Sequence, residues 1–485
     1  MATKTDVLVI GGGPAGITFS RTLKKLRPET SITLLRPEEH SMVYCAIPYA
    51  IEGLFDPEKA YKKDSLVTDV GVNLVRTHAV NVDFNNKRVA DSDGEVYQYE
   101  TLFIATGAVP VRPPIPGVDA RNVFTIKTQS DMLALLERIK AKAKKAVVIG
   151  AGAVGIEQAQ AYRENGLETH LVDIASRVLP NMIDNDMVEP LHKVLTEKGI
   201  KLALGVGVER MEASDNHIFQ VKLTNGDVIT LDPDKDFVCL SVGMKPDIAL
   251  FKHPNLKVDR DGIVLDARMR TSLPNVYAAG DNSHFHSAID GKPIGGKLAT
   301  NAVPMAKVAA RNVAGIHDEY AGFVNGAATC AFQYRVGATG FTEELARERG
   351  FETVSGHGAT TSVFPMMPGA TELKVKIVAD AQSGRVLGGQ ALGEVPTADK
   401  VDTITLAIQQ GLTLKQLARL SYSAQPWQSF FPARSAIVEA CENALEVLAA
   451  QPSYAPLGFR SHAIPDERAE ACSPLALKTL PDVFK

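Results

Sequence analysis

The sequence predicts an α/β protein in which two doubly wound nucleotide-binding domains are followed by a C-terminal α+β domain. Three observations predict it. A G-x-G-x-x-G turn occurs twice, at 11–16 and 150–155, each time after a short β-branched strand and before a helical run. From about residue 326 the glycine motifs stop, and alternating runs such as 373–378 predict a small antiparallel sheet. Helical periodicity then returns at 397–410 and 437–448. The 485 residues suffice for about three domains, at the usual 100 to 200 residues each. With 22% charged residues and a formal charge of −4, the chain lacks the basic surplus of a nucleic-acid binder.

Taken in order, residues 6–10 form a strand, and Gly11, Gly13, Pro14, Ala15 and Gly16 open a helix reaching about Leu26. The glycines allow a tight turn and close approach of a pyrophosphate to the helix N-terminus. The next strand, 31–35, should end in an acid for a ribose, but Leu35-Arg36-Pro37-Glu38-Glu39 stands there. The acid is displaced or missing, with Glu38 and Glu39 within reach of the ribose. A buried strand ends in Ala105, Thr106 and Gly107, and the proline-rich run 109–117 predicts a stiff interdomain crossover. After a helix at 130–142 comes the second motif, with Gly150, Gly152, Val154 and Gly155. Its next strand does end in an acid, Asp173, 18 residues beyond Gly155. A carboxylate there accepts from a ribose 2′-hydroxyl and repels a 2′-phosphate, which predicts NADH rather than NADPH; Arg177 nearby weakens that preference. The strand 237–242 turns at Gly243, and 276–279 leads into Gly280 and Asp281. Two dinucleotide folds in one chain suggest one bound redox cofactor and one diffusing one.

The five cysteines, at 45, 239, 330, 441 and 472, are scattered and odd in number, without metal-type spacing. This predicts a reducing cytoplasm, with no disulfide framework and no metal site. The N-terminus runs straight into a strand, predicting no leader, and no apolar run reaches membrane-spanning length. Cys45 is the candidate for chemistry. The stretch 46–51 predicts a helix beginning just after it, with Pro48 in the first turn, and a helix N-terminus favours the reactive thiolate.

With Gly11 to Gly16, Ala105-Thr106-Gly107, Gly150 to Gly155 and Ala279-Gly280-Asp281 in this order, residues 1 to about 450 resemble the FAD-dependent pyridine nucleotide-disulfide oxidoreductases. The resemblance implies an FAD domain (1–118 and 247–325) split around an NAD domain (119–246), then a dimerisation domain (326–450), with 451–485 an extended tail. It adds Arg36, Val80, Asp281, Leu298 and Ala299 to the FAD contacts, the last two opening a helix aimed at the flavin. Gly243 joins the NAD contacts. Because no cysteine stands five positions after Cys45, the likeness is to the single-cysteine branch, and Cys-Ala-Ile-Pro-Tyr is similar to the Cys-Ala-Leu-Pro-Tyr of coenzyme A-disulfide reductases. By that likeness Lys24, Lys25, Ser41 and Tyr44 face the substrate, although Tyr44 replaces the usual Asn, and the two lysines also suit a solvated helix face. Tyr422, and after it Tyr334, are the candidates for a tyrosine reaching the partner's sulfur in a homodimer. The resemblance thus implies an NADH-dependent flavoprotein reducing coenzyme A disulfide or a related persulfide or polysulfide. The alternatives are an NADH oxidase or peroxidase cycling through a sulfenic acid, disfavoured by Pro14 where such enzymes carry His, and a reductase for a small redox protein. The tail is too short for a rhodanese domain, so Cys472 is expected to be incidental.

Overall fold

The computed structural model describes residues 2–450; the expected tail and Cys472 lie outside them. Strand β1 (Thr3–Ile10), helix α1 (Pro14–Leu26) and β2 (Ile32–Leu35) open the chain. Strand β3 (Ser41–Met42) and β4 (Tyr61–Lys62) make a small antiparallel ladder that brackets the short helix α2 (Ile47–Glu52). Four more strands, β5 (Val72–Val75), β6 (Ala79–Asp83), β7 (Arg88–Asp91) and β8 (Val96–Ile104), complete the first stretch of the chain. The first sheet runs β5-β2-β1-β8-β7-β6, and Val276–Ala278 returns much later to pair with β8 in parallel. Parallel strands at its centre are covered on both faces, so β1 reads as the continuous apolar run Val7 to Ile10, all buried. Phe19 of α1 stacks on Phe103 of β8, ring centroids 3.8 Å apart.

The inserted domain repeats this plan. Five parallel strands stand in the order Val123–Phe124, Phe237–Leu240, Lys145–Ile149, Glu168–Asp173, Ile200–Leu204, beside a three-stranded antiparallel sheet. The chain enters and leaves this domain through two segments that pair with each other: Ala108–Pro110 lies antiparallel to Met244–Pro246, with Val109 opposite Lys245. Beyond Gly326, five antiparallel strands form the third sheet, packed by the helices Ala398–Gln409 and Ala436–Ala449.

One buried cation ties the third sheet to the inserted domain. Lys376 is 1% exposed, and its Nζ reaches Asp184 at 3.1 Å, Asp186 at 2.8 Å and Glu343 at 2.8 Å. Gln390 donates to Asp184 Oδ2 from the neighbouring strand, and His357 meets Asp186 at 2.8 Å. Burial opposes ionisation of Asp186, yet the hydrogen bonds from His357 and Lys376 outweigh it and hold this carboxyl below the usual range. A depressed carboxyl stabilises the fold fully above its unfolded pKa, so this contribution is complete above about pH 4 and fades as pH falls further. Lys376→Met would leave three carboxylates facing each other. We expect a loss of about 3–5 kcal/mol, read as a lowered midpoint in urea unfolding at pH 7.

Candidate active site

Four of the predicted motifs meet at the C-terminal edge of the first sheet. Gly11 has φ +110°, and a methyl group there would sit 2.2 Å from Ala105 O, so the first glycine turn lies directly on the strand end at Ala105-Thr106-Gly107. Gly16 approaches Gly11 O so closely that its own Cβ would fall 1.9 Å away. In front of Gly13, the N-cap of α1, there is open space and no side chain caps the helix. Gly280, with φ +89°, rests against Ala15 of α1 and Ala302 of the helix Ala299–Val313. Leu298 is that helix's N-cap, again without a capping side chain. Thr106 donates to Asp247 O at 2.6 Å, joining the Ala105-Thr106-Gly107 strand end to the return from the inserted domain. Burial raises the Asp281 carboxyl above its usual range, partly offset by Lys127, whose Nζ is 3.8 Å away, and by Lys297.

The second glycine turn copies the first. Gly150 has φ +107°, a Cβ on Gly155 would fall 1.8 Å from Gly150 O, and the space before Gly152 is open. Asp173 ends its strand with Oδ2 accepting from Ala151 N–H at 2.5 Å and Oδ1 from Ala175 N–H at 2.7 Å. Arg177 is committed elsewhere, to Pro180 O, Ile183 O and Glu344, rather than folding back toward Asp173. Val154 is exposed on the first turn of the helix, and Gly243 turns with φ +99° ahead of Met244–Pro246.

Cys45 lies in the 3-10 turn Tyr44–Ala46, two residues before α2, and is exposed; Cys239 and Cys441 are buried and Cys330 is half-buried, all unpaired. The predicted helix is therefore real but only six residues long, with Ala46 as its N-cap. Lys62, opposite Ser41 in the β3–β4 ladder, stands within electrostatic reach of the thiol: burial lowers its pKa, and the charge of Cys45 pulls it back up. Tyr44 is half-buried, with Lys127 Nζ 4.8 Å from its ring centroid, and burial pushes its phenol up to about 12. Ser41 is buried beside that phenol. The far end of α2 is gripped by the inserted domain. Tyr49 donates to Glu157 at 3.0 Å, Gln160 donates to Glu52, and Asn165 donates to Ile51 O at 2.9 Å.

A family model for the pyridine nucleotide-disulphide oxidoreductases matches residues 5–306, and one for that family's dimerisation domain matches 327–430. The chain is a pyridine nucleotide-disulphide oxidoreductase. This oxidoreductase is 31% identical to an NADH oxidase of Methanocaldococcus jannaschii over 429 residues, covering 86% of this chain and 94% of that protein. It is 30% identical to a NAD(P)H coenzyme A polysulfide/persulfide reductase of Pyrococcus horikoshii over 419 residues, covering 85% and 92%. Among solved structures, a NAD-dependent persulfide reductase from A. fulgidus superposes with a TM-score of 0.87 at 27% identity, covering 92% of this chain and 84% of that one. The cofactors of the family are FAD and NADH, and the two glycine turns fit such ligands: each offers an uncapped helix N-terminus behind open space, where only glycine permits the backbone to come close.

Other predicted residues of the oxidoreductase stand further out. Val80 is exposed on β6. Lys24 spends its ammonium on Pro28 O at 2.8 Å, closing the end of α1, whereas Lys25 is exposed. Tyr334 begins the strand Tyr334–Gly340 and packs at the edge of the core beneath α2. Tyr422 donates to Pro432 O at 2.6 Å on the third domain, and among the described residues no contact joins it to Cys45 within one chain. No described helix is long and apolar enough to cross a membrane. Sequence reasoning missed Lys62, Lys127 and Glu157. The signal for Lys127 was legible: Thr128-x-x-Asp131 is a capping box that fixes the next helix and places Lys127 just before it.

Gly155→Val should push the second helix off its loop, since even a methyl clashes with Gly150 O. Purified Gly155→Val should keep its yellow flavin while the rate of anaerobic flavin reduction by NADH falls by at least about a hundredfold, a barrier change near 2.7 kcal/mol.

Proposed function

We propose that this enzyme is an NADH-dependent reductase of coenzyme A disulfide or a related persulfide or polysulfide, acting as a homodimer through Cys45 as nucleophile. The observation that carries this reading is an exposed, unpaired thiol in the turn leading into α2, next in the chain to the half-buried Tyr44. FAD would be held at the first glycine turn by Gly11, Gly13, Gly16, Thr106 and Asp281 and would supply two-electron chemistry there, and the turn Gly150 to Gly155 would hold the NADH that provides the electrons. The Cys45 thiolate attacks one sulfur of the substrate, forming a mixed disulfide and releasing the first thiolate. Two electrons and a proton then return Cys45 to thiolate and release the second thiol. The sum is one NADH and one proton consumed for each disulfide converted to two thiols. Lys25 is open to phosphates of a coenzyme A moiety, and Tyr422 of one subunit is the candidate proton donor at the sulfur of the other.

A second reading, oxygen or peroxide reduction with Cys45 as sulfenic acid, is favoured by the likeness to a protein named NADH oxidase. The mass of Cys45 in the purified enzyme separates the two. A coenzyme A adduct supports the reductase; a single added oxygen sinks it in favour of the oxidase.

Cys45→Ser should leave NADH oxidation by artificial dyes nearly intact while turnover of coenzyme A disulfide falls by several orders of magnitude, as for loss of a covalent nucleophile. Wild-type disulfide turnover in that variant would refute the reading. NADH should reduce the flavin faster than NADPH in anaerobic stopped flow. Asp173→Ala, which removes one ribose hydrogen bond and one repulsion, should narrow the ratio by about tenfold, roughly 1.4 kcal/mol.

A further inference from the structure

The two glycine turns share their backbone hydrogen bonds but differ in the residue that succeeds the second strand. Gly11 N–H donates to Leu35 O at 2.9 Å, and Gly150 N–H donates to Val172 O at 2.8 Å. Ile10 is paired with Leu35 in the first sheet as Ile149 is paired with Val172 in the second. By this register Arg36, not Leu35, stands in the first site where Asp173 stands in the second. A cation has taken the place of the acid.

The neighbouring residue has changed with it. At the second turn Asp173 accepts from the N–H of Ala151, whose methyl is buried. The matching residue of the first turn is Gly12, and a Cβ there would meet Arg36 Cδ at 2.5 Å and Cγ at 2.8 Å. Arg36 and Gly12 are one matched pair; Asp173 and Ala151 are the other.

The guanidinium is fixed on two sides. Its Nε donates to Glu38 O at 2.8 Å, and its Nη2 donates to Glu39 O at 2.6 Å and to Asp64 Oδ1 at 2.8 Å. Asp64 also takes Arg76, which keeps the acid in place. The Arg36 side chain is only 3% exposed, yet Nη1 and its two N–H groups have no partner among the described residues. These two donors are left for solvent or a ligand, and the side chain that carries them packs against Gly12 of the dinucleotide turn.

We propose that Arg36 is the adenosine-end ligand of FAD in the first site, its Nη1 donating to the ribose hydroxyl oxygens where the second site presents an accepting carboxylate. This rests on the first turn holding FAD. Glu38 and Glu39 then serve through their backbone carbonyls, as anchors of the arginine, rather than through their carboxylates.

The test is titration of flavin-stripped protein with FAD and with FMN, which lacks the adenosine, followed by flavin fluorescence. Arg36→Gln should weaken FAD about ten- to a hundredfold, the usual range for a hydrogen bond to a charged group, and leave FMN unchanged. Gly12→Ala should weaken FAD in the same way by displacing the guanidinium. Gly12→Ala combined with Arg36→Asp, which rebuilds the pair of the second site, should recover most of the affinity. The proposal is overturned if Arg36→Gln binds FAD as tightly as wild type, or if it weakens FAD and FMN alike. Failure of the wild-type protein itself to take up FAD would instead overturn the cofactor reading on which the proposal stands.

Discussion

Between the Gly11 carbonyl and the backbone of α1 at Gly16 there is room for a hydrogen atom and nothing larger. That contact locks the start of the helix to the end of β1, so the free N–H groups of the helix face the open space before Gly13 instead of the core. The same contact at Gly150 and Gly155 orients the second helix over the second sheet. The rest of the site is arranged around these two fixed helix ends: the strand end at Ala105, the turn at Gly280 and the helix beginning at Ala299 all pack against the first of them. A packing constraint of one atom thus sets where two uncapped helix N-termini open.

The sequence displayed what depends on local backbone chemistry. Glycine turns, the strand ends beside them, and the switch from buried parallel strands to alternating antiparallel ones each arise from spacing within a few residues, and the three sheets bear this out. Features that depend on register across strands were hidden. Counting along the chain left the acid after β2 displaced or missing, and only the pairing of Ile10 with Leu35 identifies Arg36 as the residue at that place. Lys62 was hidden for the same reason, since only the two-residue ladder with β3 sets it opposite Ser41, at the start of the segment that carries Cys45. Single lysines in short polar runs give no periodic signal.

Glu157 shows a third kind of concealment. It sits in the middle of a helix of the inserted domain, and its partners come from elsewhere: Tyr49 from α2 and Thr329 from the third domain, at 3.0 Å and 2.7 Å. Burial raises its carboxyl above the usual range against those hydrogen bonds. Tyr49 also meets the Cys330 thiol at 3.3 Å. The helix just after Cys45 is therefore a junction of all three domains, and the position of Cys45 depends on contacts from segments more than a hundred residues away.

The inserted domain hangs from a two-stranded ribbon, Ala108–Pro110 beside Met244–Pro246. Because its entrance and exit run side by side, the whole unit behaves as a cassette whose two ends meet at one point on the parent fold. A replacement with equally close ends could be spliced there without parting the halves of the first sheet, but it would have to bring its own partners for Asp281 and for the helix after Cys45, which Lys127, Glu157, Gln160 and Asn165 now supply.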